Sequence, residues 1–552
     1  MSQSQKSFVR GAAVLGAIGL VCKVIGAVYR IPMAAIIGTQ GMAYYQTAYP
    51  VYTFLLAVSS AGLPVAISKM VSERVTLEDY RAAHAVFRTA MKSLLVIGLA
   101  TAAVMFAFSG GIARALGRPD ASLAIMAIAP ALFFVSVISA YRGYFQGLQR
   151  MAPTAFSQLI EQTGKLGIGL FLAYLWKDHG VEYGAAGAVL GVTISEVLAL
   201  LFLLLLYGRR KRELKLRIRR SPKTGKPEAH VARTLFVLAL PIIIGACAMP
   251  LVQLADTAIV SNALYGLKSV MLAGREVPVS KELVDSLFGN LTGVVNPLIN
   301  MPAVLSLALA MSLVPAVSAS MAQRDEHGAA AKSGMGFKLA MLVGLPCALG
   351  FYMLATPIIR LLFGSLQGEE LAVAGNLLSI MAVGVLFLTV VQTMTGILQG
   401  LGKTYLPVVN LFIGIAVKIA VSIVFIRMPK IHIKGAAIGT VACYAVAAVL
   451  DVACVMRHAK LKLRVADNFL KPLLSVTGMG AFVFVAQPLL SRFLSDRLAT
   501  GLTIAGAGVL YALLVLFSGA LTQEDMAFIP GGGRVARLMA RLGLWKGGGQ
   551  KA

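Results

Sequence analysis

Charge is scarce in this 552-residue sequence. Only 13% of its residues are Asp, Glu, Lys or Arg, about half the share found in an average soluble domain. A water-facing surface for a chain this long needs more, so a soluble globular protein is excluded. Cysteine is scarcer still. The five residues Cys22, Cys247, Cys347, Cys443 and Cys454 all lie in apolar stretches, and no CxxC spacing occurs. That excludes a disulfide framework and supplies no zinc site. His84, His179, His230, His327, His432 and His458 fall at loops or helix ends, none beside another at ligand spacing, so no metal centre is expected. Nucleotide motifs are missing too. Gly402-Lys403-Thr404 resembles the end of a phosphate-binding loop, yet the glycine that should open it is Ile397, and the segment joins two apolar stretches. With no ATP-hydrolysing domain and no cofactor expected, energy must come from an ion gradient, the membrane potential, the substrate gradient or a partner.

Apolar residues are what the chain has, 58% of it. They come in blocks of roughly 20–30, long enough to cross a hydrocarbon core of about 30 Å. Every backbone amide there must bond internally, so runs of this length are helices. Candidate spans fall at roughly 9–36, 43–71, 86–109, 121–146, 153–176, 184–207, 233–262, 286–318, 335–363, 371–399, 404–427, 435–457, 468–490 and 498–519. The expected fold is therefore an all-α polytopic membrane protein of about fourteen transmembrane helices. Lys6 and Arg10 precede the first block as in a signal peptide, but Lys23 and Arg30 interrupt it and no A-x-A-like cleavage site follows. It reads as an uncleaved first helix. Pro50 and Pro64 in the second span, and Pro297, Pro302 and Pro315 in the eighth, predict kinks.

The net charge of +27 would suggest nucleic acid in a soluble protein. Here Lys and Arg collect in alternate loops: Arg74 and Arg81, Arg142 and Arg150, the basic loop 208–232, Arg324 and Lys332, Lys403, the segment 457–464 and the tail from 520. That is the positive-inside pattern, with both termini cytoplasmic and anionic headgroups as the partner, not nucleic acid.

The sequence also contains a weak copy of itself. Gly143-Tyr144-Phe145-Gln146-Gly147-Leu148-Gln149-Arg150 returns as Gly396-Ile397-Leu398-Gln399-Gly400-Leu401-Gly402-Lys403, 253 residues later. In the same register Lys165 falls on Lys418. Pro50 matches Pro302 at an offset of 252, and Pro64 matches Pro315 at 251. Two pseudo-symmetric six-helix lobes follow, 1–207 and 233–457, joined by the basic segment 208–232. A helix pair at 458–519 and a tail at 520–552 complete the chain. Six is even, so the lobes enter the membrane in the same direction, a usual transporter geometry.

Ionisable groups inside spans cost about 2.5–3.5 kcal/mol each on insertion scales and tend to face a bundle interior or a wet cavity. Lys23 and Arg30, two turns apart on one face of the first helix, form a cationic stripe suited to an anionic substrate. The bland alternative has Arg30 snorkelling to the surface and Lys23 paired with a carboxylate. Glu161 and Lys165 stand at i,i+4 and suggest a local salt bridge or a part in binding substrate. Lys418, the repeat counterpart of Lys165, lacks a preceding Glu and needs another partner or a ligand. Glu196 and Asp256 are single carboxylates at membrane depth. Either could take up H⁺ or Na⁺, or pair with a lysine of its lobe. Asp451, near a helix end, reads as structural.

These residues carry a resemblance. Arg10-Gly11, Lys23-Val24-Ile25-Gly26, Arg30-Ile31-Pro32 and Ile37-Gly38-Thr39, the run from Ser59 to Lys69, and Tyr141-Arg142-Gly143-Tyr144-Phe145-Gln146-Gly147 resemble the polysaccharide exporters of the multidrug/oligosaccharidyl-lipid/polysaccharide superfamily. The branch it looks most like holds stage V sporulation protein B and is similar to the lipid II flippase MurJ. The resemblance implies a V-shaped, MATE-like pair of lobes in a bacterial plasma membrane. It implies alternating access and an undecaprenyl-diphosphate-linked cell-wall precursor as cargo, with lipid II the simplest. Lys23 and Arg30 would hold the diphosphate, the helix pair 468–519 would form a lipid groove, and membrane lipids and cell-wall synthesis proteins would be partners. The segment Val295-Asn296-Pro297-Leu298-Ile299-Asn300-Met301-Pro302 is neutral where those flippases carry charge.

Two other functions compete. A cation-coupled multidrug antiporter of the same superfamily favours acidic groups in the first lobe. An integral-membrane glycosyltransferase needs clustered carboxylates or histidines at a membrane face, and Glu276, Glu282 and Asp285 in the loop 263–285 form no such motif.

Overall fold

The computed structural model describes residues 18–19, 21–22, 24–26, 28–221, 228–272, 274–461 and 466–521. Lys23, at the centre of the expected cationic stripe, lies outside them. Twelve helices among the described residues are long and apolar enough to cross a membrane, and the protein is an all-α, multi-pass membrane protein. One of the twelve, Val24–Thr76, is 53 residues long and turns at Ala61-Gly62, where Leu63–Thr76 begins. It is broken at Gly38, whose φ of 68° is open to glycine and strained for an L side chain. The helix Ala152–Trp176, which carries Glu161 and Lys165, lies outside the twelve. Among the described residues the single sheet is a hairpin in the loop after Tyr265, with Ser269–Leu272 antiparallel to Arg275–Pro278.

The chain forms two compact units. One comprises Met1–Tyr265 and Ser280–Gly293, the other Gly266–Val279 and Val294–Ala552. The contacts thus keep the helix Glu228–Tyr265 with the first unit, whereas the repeat assigns it to the second lobe. The crossing near Gly293 falls inside the π-helical segment Asn290–Val295, which joins the helix Lys281–Gly289 to Asn296–Ala322.

In the first unit the helix Ala131–Gly147 lies against Leu63–Thr76 without side chains between the backbones. A Cβ on Gly143 would stand 2.8 Å from the Pro64 carbonyl oxygen, and one on Gly147 2.6 Å from Val71 Cβ. Close approach through small residues is how helices associate in lipid, where no hydrophobic force drives them together. Around this contact Ile67, Val71, Phe87, Ile138, Tyr144 and Phe145 form a buried core. The second unit repeats the device. A Cβ on Gly396 would stand 2.7 Å from Ala310 Cβ, and one on Gly400 3.0 Å from Val317 Cβ.

The repeat is therefore real in three dimensions, with a register that corrects the proline matches. Helices end at Gly147 and Gly400 and begin again at Ala152 and Tyr405, and Gln149 and Gly402 take the left-handed turn conformation (φ 59° and 75°). All of these pairs are offset by 253. Earlier in each unit the offset is 246. Glu78 and Arg324 share a φ of 55°, and Asp79 and Asp325 cap the next helix through Ala82 N–H and Gly328 N–H. The residues that meet the paired glycines, Pro64 with Ala310 and Val71 with Val317, are offset by 246 as well. Pro64 thus corresponds to Ala310, not to Pro315. A kink can sit in any of several turns of a packed helix, whereas a capped turn has one position. The change of offset falls between Ser122–Gly147, broken near Pro130, and the unbroken 33-residue helix Gly368–Gly400.

The basic run expected as a loop is helical. Val181–Arg220 extends 40 residues, because Leu, Lys and Arg are good helix formers and no breaker appears before Ser221-Pro222. Cations also suit a helix C-terminus. Ser221 Oγ then meets Asp79 Oδ1 at 3.2 Å, and Arg217 pairs with Glu213 at 3.0 Å.

Candidate functional site

Buried charge in the first unit gathers on one side of the helix Arg30–Ser60. Tyr45, Tyr49 and Tyr52 stand at i, i+4 and i+7, so they share a face. Tyr45 and Tyr49 stack at 5.6 Å, and Tyr49 and Tyr52 lie 5.8 Å apart. Tyr29, one residue before this helix, closes the row at 6.4 Å from Tyr45.

Lys165 points into these rings. It is 8% exposed and donates to Tyr49 Oη at 3.3 Å. Its Nζ stands 4.4 Å from the Tyr49 centroid and 5.4 Å from that of Tyr29. A desolvated cation over aromatic faces gains about 2 kcal/mol, which offsets part of the cost of burying it. Arg30 is half-buried and near enough for its charge to act on Lys165.

Ser157, Glu161 and Lys165 are spaced four apart along one face of Ala152–Trp176. The expected Glu161–Lys165 bridge does not form. Arg142 takes Glu161 instead, with Nη2 to Oε2 at 3.0 Å and Nε to Ser157 Oγ at 2.9 Å. The sequence places Arg142 with the cytoplasmic loops. In the structure it lies inside the helix Ala131–Gly147, and its guanidinium fork satisfies two partners where an ammonium would satisfy one. Glu196, on Val181–Arg220, is 1% exposed and lies within electrostatic reach of Glu161, Arg142 and Lys165.

The other two described site residues are carried by other helices. Asp256 is half-buried on Glu228–Tyr265 and has an interaction of its own. Lys418 is 6% exposed on Tyr405–Ile426 in the second unit, where its turn packs on Gly439, and it too is engaged. Asp451 accepts from Asn410 Nδ2 at 2.8 Å, in keeping with a structural role. Arg30, Glu161, Lys165 and Glu196 thus form one neighbourhood, and Asp256 and Lys418 stand on other helices. Arg142 and the tyrosine row are the members missed from sequence. The row had a signal in its 45-49-52 spacing.

A second buried charge pair involves the middle of the helix Lys281–Gly289. Arg118 Nε meets Asp285 Oδ1 at 2.7 Å with both side chains 0% exposed. The guanidinium also bonds Ser261 Oγ and covers the Phe288 ring at 3.8 Å. Burial lowers the Arg118 pKa and the Asp285 charge opposes the drop. Nearby, Lys281 pairs with Asp120, which also accepts from Tyr44 Oη at 3.3 Å. Glu276 contacts Ser269 in the hairpin. Glu276 and Asp285 of the loop 263–285 thus have separate structural partners.

The sequence profile of the polysaccharide biosynthesis protein family matches residues 8–322, more than half of the chain. The chain belongs to that family. The profile of the lipid II flippase MurJ matches residues 296–515. Stage V sporulation protein B of Bacillus subtilis (strain 168) is 25% identical over 536 residues, covering 96% of this chain and 99% of the relative. The lipid II flippase MurJ of the same strain is 27% identical over 505 residues, covering 88% and 89%. Among solved structures, lipid II flippase MurJ in an inward closed conformation superposes with a TM-score of 0.66 at 15% identity, over 92% of this chain and 98% of the other. An inward-facing multidrug resistance MATE family transporter gives 0.62 at 16% identity, over 79% and 94%. The fold is thus shared with a lipid II flippase and a MATE family transporter.

Proposed function

We propose that the protein is a flippase that moves an undecaprenyl-diphosphate-linked cell-wall precursor, most simply lipid II, from the cytoplasmic to the outer leaflet of a bacterial plasma membrane. The observation that carries this reading is the buried cation Lys165, held on tyrosine faces with Arg30 near it. A desolvated ammonium with aromatic rather than carboxylate partners keeps charge available for an anion, and guanidinium grips phosphate through paired donors. Relatives that align along 96% and 88% of the chain, one a sporulation protein and one a lipid II flippase, support the same class of cargo. In this reading Lys23, Arg30 and Lys165 hold the diphosphate, and Lys418 serves the second unit. Asp256 and Glu196 bind a coupling cation, and both termini are cytoplasmic. The exposed Phe484, Phe493 and Phe517 of the last helix pair give a polyprenyl tail an apolar surface.

Reconstitution of the full chain into liposomes with labelled lipid II tests this. Movement to the opposite leaflet that needs Lys165 is the expected result. No movement, together with counter-transport of organic cations, would replace it with the antiporter reading.

A further inference from the structure

Glu196 has the least explained position of any charged residue in the first unit. It sits within a 40-residue helix, 1% exposed, and its Oε2 is buried with no hydrogen-bond partner. The charged and titratable groups that act on it come from three of the helices packed around it. Glu161 and Lys165 come from Ala152–Trp176, Arg142 from Ala131–Gly147, and Tyr52 from Arg30–Ser60, while Cys22 lies beside Glu161. The helix Ser122–Ile128, also packed on it, has no titratable side chain. Two of these groups are already committed, Arg142 to Glu161 and Ser157 and Lys165 to Tyr49.

Glu161 shares this neighbourhood, and two ionised carboxylates in it would repel each other. Glu161, with Arg142 on its Oε2, is the ionised member. Glu196, with no cation bonded to it and one oxygen bare, is the member that gains from holding the proton. A metal cation fits poorly here. Hard cations seek about six oxygen ligands, and Arg142 and Lys165 would repel one. A proton needs no shell.

We propose that Glu196 is a dissociable proton site whose occupancy sets the charge of the anion-binding cluster. With the proton bound, Arg30, Arg142, Lys165 and Glu161 leave two net positive charges. With it released, Glu196 cancels one of them. An anion is therefore gripped more tightly when Glu196 is protonated than when it is not. Linkage makes the effect reciprocal, so a bound anion draws a proton in. This rests on the diphosphate reading for its anion, but the proton site itself does not.

Two measurements on the purified full chain in lipid nanodiscs separate these parts. Infrared pH titration without ligand should show a titrating carboxylic acid C=O band in the wild type that is absent in Glu196→Gln. An unchanged band in that variant overturns the proton site. Calorimetry with inorganic pyrophosphate, in buffers of different ionisation enthalpy, should show proton uptake on binding. Affinity should fall with rising pH, by up to about tenfold per unit for one linked proton. Glu196→Gln, neutral at every pH, should bind as the acidified wild type does, with no proton uptake. Binding with no proton uptake in the wild type, or pH dependence kept in the variant, overturns the coupling. The band together with no pyrophosphate binding would uphold the proton site and overturn the anion reading.

Discussion

Arg118 and Asp285 form an ion pair from which water is wholly excluded, 2.7 Å apart and 167 residues apart in sequence. The pair fixes the helix Lys281–Gly289 to the loop before Pro119, in the same unit. Each partner also keeps one polar atom without a bond, Arg118 Nη2 and Asp285 Oδ2, so the pair is held by position more than by full satisfaction. Removing one charge strands the other, at a cost of about 3–5 kcal/mol, whereas an apolar pair of similar size can be near neutral. Asp285→Ala should lower the melting temperature of the purified protein sharply, and Arg118→Met with Asp285→Leu should recover most of it. A single variant that melts like the wild type would refute the anchoring role.

The same helix depends on a glycine at its C-terminus. A Cβ on Gly289 would stand 1.8 Å from the Thr39 carbonyl oxygen, and backbone cannot rotate aside as a side chain can. Gly289→Ala should cost at least about 1–3 kcal/mol by overpacking, seen as loss of the monodisperse peak in fluorescence size-exclusion chromatography. Gly110→Ala, with no atom within 4 Å of its Cβ, is the matched control and should leave the peak intact.

For the cargo site, Lys165→Met and Arg30→Ala should each lower lipid II movement by tenfold or more, about 1.4 kcal/mol of lost interaction, while the protein still reaches the membrane. Lys165→Arg should recover part of the loss. The cellular counterpart is complementation in Bacillus subtilis strains lacking either MurJ or stage V sporulation protein B. Rescue of one strain and not the other identifies which wall the protein serves. Rescue by Arg30→Ala equal to that of the wild type would remove Arg30 from the site.

Asp256→Asn tests the coupling cation assigned to the helix Glu228–Tyr265. Transport should lose its response to imposed ion gradients and keep its basal rate. A response equal to that of the wild type would exclude Asp256 from coupling.

A pH effect should appear in the hairpin. His432, 1% exposed, faces the Met271 carbonyl oxygen through Nε2 at 3.1 Å, and Met271 N–H donates to the Pro429 carbonyl oxygen. Burial lowers the His432 pKa, only partly offset by the Met271 bond. The undocked state therefore binds more protons, and stability rises with pH through this group. It is complete above the free histidine value of about 6.5 and declines as pH falls below it. Hydrogen exchange at Met271, normalised for intrinsic rate, should lose protection between about pH 7.5 and 5.5, and His432→Gln should flatten that dependence.

Much of the fold was readable in the sequence where a property is local. Apolar length gave the helices, and the repeated Gly-x-x-x-Gly segments gave related units. The buried Lys165 and Glu196 were found because charge in an apolar run is rare. What was hidden depends on distant partners. Spacing alone favours Lys165 for Glu161, and only the packed neighbour helix shows Arg142 in its place. Asp285 looked like one more loop carboxylate because Arg118 is far away in the chain. The basic run reads as a loop because dense charge usually marks a solvated linker, though lysine and arginine build helices well.

The seven-residue difference between the two offsets has one more consequence. Seven residues make almost two turns at 3.6 per turn, so the extra length adds about 10 Å and rotates the remainder of the helix by only about 20°. Gly396 and Gly400 accordingly still meet their neighbour helix, as Gly143 and Gly147 do. An insertion of five would have swung them by about 140°, into lipid. Duplicated halves of a membrane protein are thus free to drift in length, but mainly in steps that return a helix to the same heading.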